Sequence, residues 1–224
     1  LQADKLAVIP NGVDANMFSG EFDKNEFRSR FAAPDEKIVL FVGRLVYEKG
    51  VHVLINAIPK VLNETNAKFV IVGDGYMRDT LKNQVQNMGL ASKTFFTGFL
   101  DDQSLRCLYQ CADACVVPSL YEPFGITALE AMAAKTPVIV SDTGGLTEIV
   151  EHEKTGIKVY PNNPESLAWG IKRVLLDPAH AKEMRADAHR KVLEVYNWGS
   201  IAEEVKVLYQ HVSDEYKSCS WKAA

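Results

Sequence analysis

The sequence predicts an α/β fold, a parallel sheet of about six strands with helices on both faces. Three observations carry this. Short unbroken apolar runs recur at residues 38–42, 69–72 and 114–117, as strands buried on both faces require. Stretches with helical spacing separate them. After each run comes a loop that carries glycine: Gly43 and Gly50, Gly73 and Gly75, Gly98, Gly125, then Gly144 and Gly145.

Residues 5–14 read as a short extended run broken by Pro10 and Asn11-Gly12. No partner strand follows, so Asn-Gly marks a connection here and not a hairpin. Residues 21–37 are charged and stop at Pro34-Asp35, giving a short helix and a loop. The regular part follows. A strand at 38–42 leads through a loop at 43–50 to a helix ending near Leu62. A strand at 69–72 precedes a helix at 77–88, and a third strand spans 94–97. Asp102 is placed to cap a helix that runs to Cys111. A strand at 114–117 enters a further helix, and residues 138–140 and 156–159 give the fifth and sixth strands. Right-handed crossovers join such units.

The last third is helical. Pro164 behind Asn163 starts one helix, and Asp177-Pro178 ends it and starts another. Ser200 with Glu203 forms a capping box for a final helix to about Tyr216. On that helix Ile201, Val205, Leu208 and Val212 share one face. The expected division is a linker and lead-in segment at 1–36, the α/β domain at 37–198, the last helix at 199–217 and a frayed tail at 218–224. The chain opens on Leu1, already inside a structured stretch, as expected of a piece cut from a longer protein.

Composition narrows the function classes. The 224 residues are 47% hydrophobic and 24% charged, the balance of a soluble globular protein. A net charge of −4 argues against a nucleic-acid partner. No apolar run approaches the ~18 residues of a transmembrane helix, and no signal peptide is visible. Cys107, Cys111, Cys115 and Cys219 interleave with apolar residues and lack ligand partners at metal spacing. They read as free thiols in a reducing cytosol, so the expected location is cytoplasmic, with or without peripheral attachment to a membrane.

Ligands of open parallel sheets bind beyond the carboxyl ends of the strands. The first of these loops holds Arg44 and Lys49 between Gly43 and Gly50. Arg offers a planar fork to phosphate and Lys a point charge. The plainer alternatives are an Arg44–Glu48 pair and a solvated Lys49. Gly73-Asp74-Gly75 invites a dinucleotide fingerprint, but Arg78 stands where the third glycine belongs, so a nicotinamide oxidoreductase is disfavoured. Gly98-Phe99-Leu100 could seat a nucleobase. The stretch from Pro118 to Ala134 stands out most. Glu122 sits at a turn, Glu130 lies eight residues later, and a helix is expected to begin near Phe124 or Gly125 with Pro123 at its first positions. The free N–H groups of such an end suit phosphate or a hydroxyl-rich ligand. Two carboxylates beside an anion site make sense when the ligand also carries sugar hydroxyls. A capping Glu122 and a solvated Glu130 are the bland alternative.

Together, Gly43-Arg44-Leu45, Glu48-Lys49-Gly50, Gly73-Asp74-Gly75, Gly98, Glu122-Pro123-Phe124-Gly125 with Leu129-Glu130-Ala131-Met132, Pro137-Val138-Ile139 and Gly144-Gly145-Leu146 resemble the C-terminal half of family-4 retaining glycosyltransferases. Sucrose synthases, bacterial glycogen synthases and cell-envelope mannosyl- and glucosyltransferases are of this kind. The likeness runs from about Val8 to the last helix. It implies a Rossmann-like domain of the GT-B architecture. This half would hold a UDP-, ADP- or GDP-sugar, and an N-terminal half outside this chain would hold the acceptor, whether glycan, lipid or small molecule. By matching position, the resemblance implies that Arg44 and Lys49 neutralise the diphosphate. Glu122 would meet the transferred sugar, with Phe124, Gly125, Ile126 and Thr127 offering backbone groups. Glu130 would accept the ribose hydroxyls, Leu100 would present backbone to the base, and Gly43 and Gly73 would line the donor site. Catalysis would fall to Arg44, Lys49 and Glu122, without metal or other cofactor. This fragment alone would be inactive. The rival expectations are a non-catalytic nucleotide-sugar-binding module and a sugar-nucleotide 2-epimerase of the same fold.

Overall fold

A computed structural model describes residues 6–218. Its centre is one six-stranded parallel sheet in the order β3-β2-β1-β4-β5-β6. The strands are β1 (Lys37–Val42), β2 (Ala67–Val72), β3 (Thr94–Gly98), β4 (Ala114–Val117), β5 (Val138–Ser141) and β6 (Ile157–Val159). The helices are α1 (Lys24–Ser29), α2 (Val51–Leu62), α3 (Arg78–Asn87), α4 (Asp102–Cys111), α5 (Ile126–Ala133), α6 (Leu146–Ile149), α7 (Pro164–Leu176), α8 (Pro178–Val195) and α9 (Trp198–Ser218).

Alternation within the strands builds two cores. Val39, Phe41, Phe69, Ile71 and Val116 point to one face, where α2, α3 and α7 cover them. Ile38, Leu40, Val70, Cys115 and Val117 point to the other, under α4, α5 and α6. Helix α8 passes from one side to the other, with Ala181 and Met184 in the first core and Ala188 and Val192 in the second.

From β1 the chain steps outward to β2 and β3, then returns to the far side of β1 with β4. Winding therefore reverses between β1 and β4. That reversal opens the crevice where doubly wound sheets bind their ligands.

Four local expectations are corrected. Asp101, not Asp102, caps α4, its carboxylate accepting the Ser104 N–H at 2.9 Å; Asp102 is the first helical residue and favours the positive end of the helix. The last helix begins at Trp198 and not at Ser200, because Asn197 accepts the Ser200 N–H at 3.0 Å. Ser218 is its final residue; the rest of the expected frayed tail, with Cys219, lies outside the described residues. The apolar stripe of α9 is real in spacing but is covered only at Ile201, while Val205 and Leu208 are half-buried and Val212 is exposed. Helix α5 begins at Ile126 with Gly125 as its cap, so Pro123 and Phe124 belong to the turn ahead of it.

Candidate functional site at the β1–β4 switch

Two loops meet at the reversal point because glycine lets them. Gly50 ends the short turn after β1 with φ 68°, and a Cβ there would lie 1.9 Å from the Pro118 carbonyl oxygen. No other residue allows that approach. The Leu120 N–H then donates to the Glu48 carbonyl at 2.8 Å, fastening the β1 loop to the end of β4.

This places Lys49 against Glu122, with Nζ 2.6 Å from Oε2. Glu122 is buried, and its Oε2 also accepts from the Ser119 hydroxyl at 3.0 Å. Ser119 is fully buried. The backbone of Glu122 is held from below by the β5 loop. The Gly145 N–H donates to the Glu122 carbonyl at 3.0 Å, and a Cβ on Gly144 (φ 49°) would come within 2.0 Å of that oxygen.

Helix α5 opens beside this pair. Among the described residues, the N–H groups of Phe124, Gly125, Ile126 and Thr127 find no protein acceptor. Four donors at the positive end of a helix, next to a lysine, form an anion-binding corner. Arg44 stands at the mouth of the β1 loop, exposed. No ion pair between it and Glu48 forms.

One helical turn further, Glu130 has different surroundings. The Tyr109 hydroxyl donates to its Oε2 at 2.8 Å. Burial raises its pKa; the Tyr109 hydrogen bond works the other way, and the nearby Asp102 charge adds to the rise. A small cavity of about 100 Å³ beside it is lined by Val13, Phe18, Arg106 and Tyr109.

The remaining sequence candidates take less direct parts. Gly73 donates its N–H to the Gly98 carbonyl at 2.9 Å, and Gly43 donates to the Val72 carbonyl at 3.1 Å. They splice neighbouring loops at the same sheet edge. Asp74 pairs with Arg78 at 3.1 Å, so that stretch is not a free dinucleotide turn. Leu100 is half-buried against the second core, while Phe99 is exposed. Cys111 and Cys115 are buried and Cys107 is half-buried, all with free thiols. Burial pushes the Cys111 thiol up to about 11. Among the described residues no group of His, Cys, Asp and Glu is arranged to hold a metal ion, and no helix is long and apolar enough to cross a membrane.

Ser119 and Tyr109 were not legible as site residues. Ser119 reads as the end of a strand. Tyr109 reads as one more apolar position in a helix 21 residues before its partner.

Comparison with known proteins gives the family and the fold. Residues 22–191 match the family described as glycosyl transferases group 1. This chain belongs to that family. It is 49% identical over 212 residues to an uncharacterized glycosyltransferase of Methanocaldococcus jannaschii, a match covering 92% of this chain and 54% of that protein. Sucrose-phosphate synthase from Thermosynechococcus elongatus superposes with a TM-score of 0.84 at 35% identity, over 93% of this chain and 53% of that one. HepE of Anabaena, solved in complex with UDP-glucose, superposes with a TM-score of 0.84 at 26% identity, over 94% of this chain and 58% of that one. The chain thus spans about half the length of the curated relatives it matches. These neighbours are GT-B glycosyltransferases, and the six-stranded parallel sheet here is of their Rossmann-like kind.

Proposed function

We propose that this chain is the donor-holding half of a retaining glycosyltransferase, one that moves a hexose from a nucleoside-diphosphate sugar to an acceptor. The observation that carries the proposal is the Lys49–Glu122 pair at the switch point, beside four unclaimed N–H groups of α5.

As the bond from the sugar's anomeric carbon to the diphosphate breaks, negative charge grows on the leaving phosphate. Lys49, held against Glu122, and the N–H groups of Phe124 to Thr127 meet that charge with little reorganisation, and the exposed Arg44 side chain reaches toward it; such electrostatic stabilisation is usually the largest contribution to catalysis. Glu122 accepts hydroxyls of the transferred sugar and holds Lys49 in register. Glu130 accepts the ribose hydroxyls, and the backbone near Leu100 meets the base. Two cations in these roles make a metal unnecessary. The acceptor, a glycan, lipid or small molecule, is bound by a partner half of the whole protein. That half is expected from the coverage of relatives, about half their length. Residues 1–224 alone therefore bind donor but do not transfer sugar, because positioning of the acceptor supplies much of the rate.

Calorimetry with UDP, ADP and GDP tests this. The HepE complex supports trying UDP first. One of the three should bind, with affinity that falls as salt rises. No binding of any of them at millimolar concentration overturns the proposal. Robust sugar transfer by residues 1–224 alone contradicts the division of labour.

A further inference from the structure

A cavity of about 680 Å³ opens at the sheet's outer edge, beside β6. It lies along the same strand ends as the switch-point site. β6 is two strands from β4, a lateral step of roughly 10 Å. The proposed donor chemistry does not use it. Its size is that of a small-molecule site.

The lining is unusual for a surface groove. Trp169 leaves 45% of its surface exposed although its helix neighbours Leu167, Ala168, Gly170 and Ile171 are all buried. Tyr160, just past β6, is 74% exposed. The His152 ring lies 6.1 Å from that of Trp169, tilted by 38°. Two exposed aromatic side chains and the His152 ring thus line one cavity.

Polar groups of both kinds surround them. His152 Nδ1 accepts the Lys158 N–H at 3.0 Å, so the neutral ring carries its proton on Nε2, which faces no acceptor among the described residues. Asn163 spends its carbonyl oxygen on the Ser166 N–H at 3.0 Å and keeps its amide donors. Asp142, half exposed, is 3.4 Å from Lys158, and Glu165 is 2.5 Å from Lys60. Both retain acceptor capacity, because a carboxylate takes several hydrogen bonds.

This combination selects a ligand class. A phosphate would meet two carboxylates, while Lys158 is already engaged with Asp142 and the Thr147 carbonyl. A flat apolar surface would strand the imidazole and amide donors. A pyranose satisfies both sets: its C–H face covers an aromatic ring, and its hydroxyls donate to carboxylates and accept from N–H groups. We propose that the β6–α7 cavity is a second sugar site, one that holds a pyranose unit of a glycan apart from the donor. Glycans as the relevant sugars follow from the glycosyltransferase reading; the cavity's preference for a pyranose rests on its own lining.

Titration of the chain with maltotriose and with methyl α-mannoside tests this, followed by tryptophan emission and by amide shifts. At least one should quench emission with a dissociation constant in the range of about 1–10 mM. Shifts should centre on Tyr160, Trp169 and His152. Trp169→Ala should weaken binding about tenfold, and Trp169→Phe should recover part of it. Both variants should melt close to the parent, because Trp169 stands on the open side of α7, and both should bind unchanged whichever of UDP, ADP and GDP the parent binds. Sugar binding that survives Trp169→Ala, or shifts centred on Lys49 and Glu122, overturns the proposal. So does sedimentation showing two copies joined through this face. Binding of UDP, ADP or GDP without any sugar response ends this proposal and leaves the donor reading standing. Sugar binding at Trp169 without nucleotide binding does the reverse.

Discussion

Glu122 and Glu130 lie eight residues apart and are treated in opposite ways. Glu122, in the turn before α5, is buried with a cation and a hydroxyl on the same oxygen. Glu130, inside α5, is largely buried with only a phenol, and its pKa rises. A carboxylate that already holds a lysine has settled its charge before any ligand arrives. One that is desolvated and underpaired gains most when a ligand brings hydroxyl donors. The proposed function gives the two residues different partners. Glu122 is suited to a neutral sugar beside a phosphate-binding lysine, and Glu130 to a ribose diol.

The largest effects should come from the cations on Glu122's side of this divide. In the whole enzyme with its donor, Lys49→Ala and Arg44→Ala should each lower kcat by about tenfold to a hundredfold, from a lost charged hydrogen bond of roughly 1.5–3 kcal/mol. The change in donor affinity should be smaller, because the charge they meet grows in the transition state. Steady-state and single-turnover kinetics would separate the two. A rise in KM with kcat unchanged would reduce the cations to plain binding groups.

Gly144→Ala should disturb Glu122 without touching its side chain. The added methyl would press on the Glu122 carbonyl from 2.0 Å, and φ 49° is strained for alanine. A loss of about 1–3 kcal/mol in urea unfolding is expected. Unchanged stability would mean the β5 loop does not brace the turn.

A pH experiment sharpens Glu130's side. Its raised pKa means that the folded chain holds this proton more tightly than the unfolded chain does. The resulting stability is fully present below the unfolded carboxyl range and is lost as pH rises through the folded value. Glu130→Gln keeps an acceptor for Tyr109 and removes the charge. It should raise Tm at neutral pH and flatten the pH dependence in that window, while weakening nucleotide binding. A lower Tm at neutral pH would show that the carboxylate is better compensated than its surroundings imply.

Much of the fold could be read from the chain. The unbroken apolar runs fell on β1, β2 and β4 because strands buried on both faces have to be apolar throughout, while β3 and β6, at the two edges of the sheet, are only partly covered and carry polar residues. Caps were harder to place. Asp101 and Asp102 both offer a carboxylate, and only the backbone decides between them: Asp101 is extended and caps, while Asp102 is already helical. Asn197 and Ser200 likewise both offer a capping oxygen, and it is Asn197 that accepts the Ser200 N–H. The stripe on α9 shows the limit of periodicity, which reports a face and not what covers it. At the site, the residue types were visible and their pairing was not. Lys49 and Glu122 are 73 positions apart, and only the reversal between β1 and β4 joins them.

The most direct test of the division between the two glutamates is nucleoside diphosphate affinity in Glu122→Ala and Glu130→Ala, measured side by side on this chain. Glu130→Ala should weaken binding about tenfold, the worth of charged hydrogen bonds to the ribose. Glu122→Ala should leave it nearly intact, because the partner proposed for Glu122 is the sugar, which a plain nucleoside diphosphate lacks. Loss of binding in Glu122→Ala, with Glu130→Ala unaffected, would show that the two carboxylates serve the opposite partners.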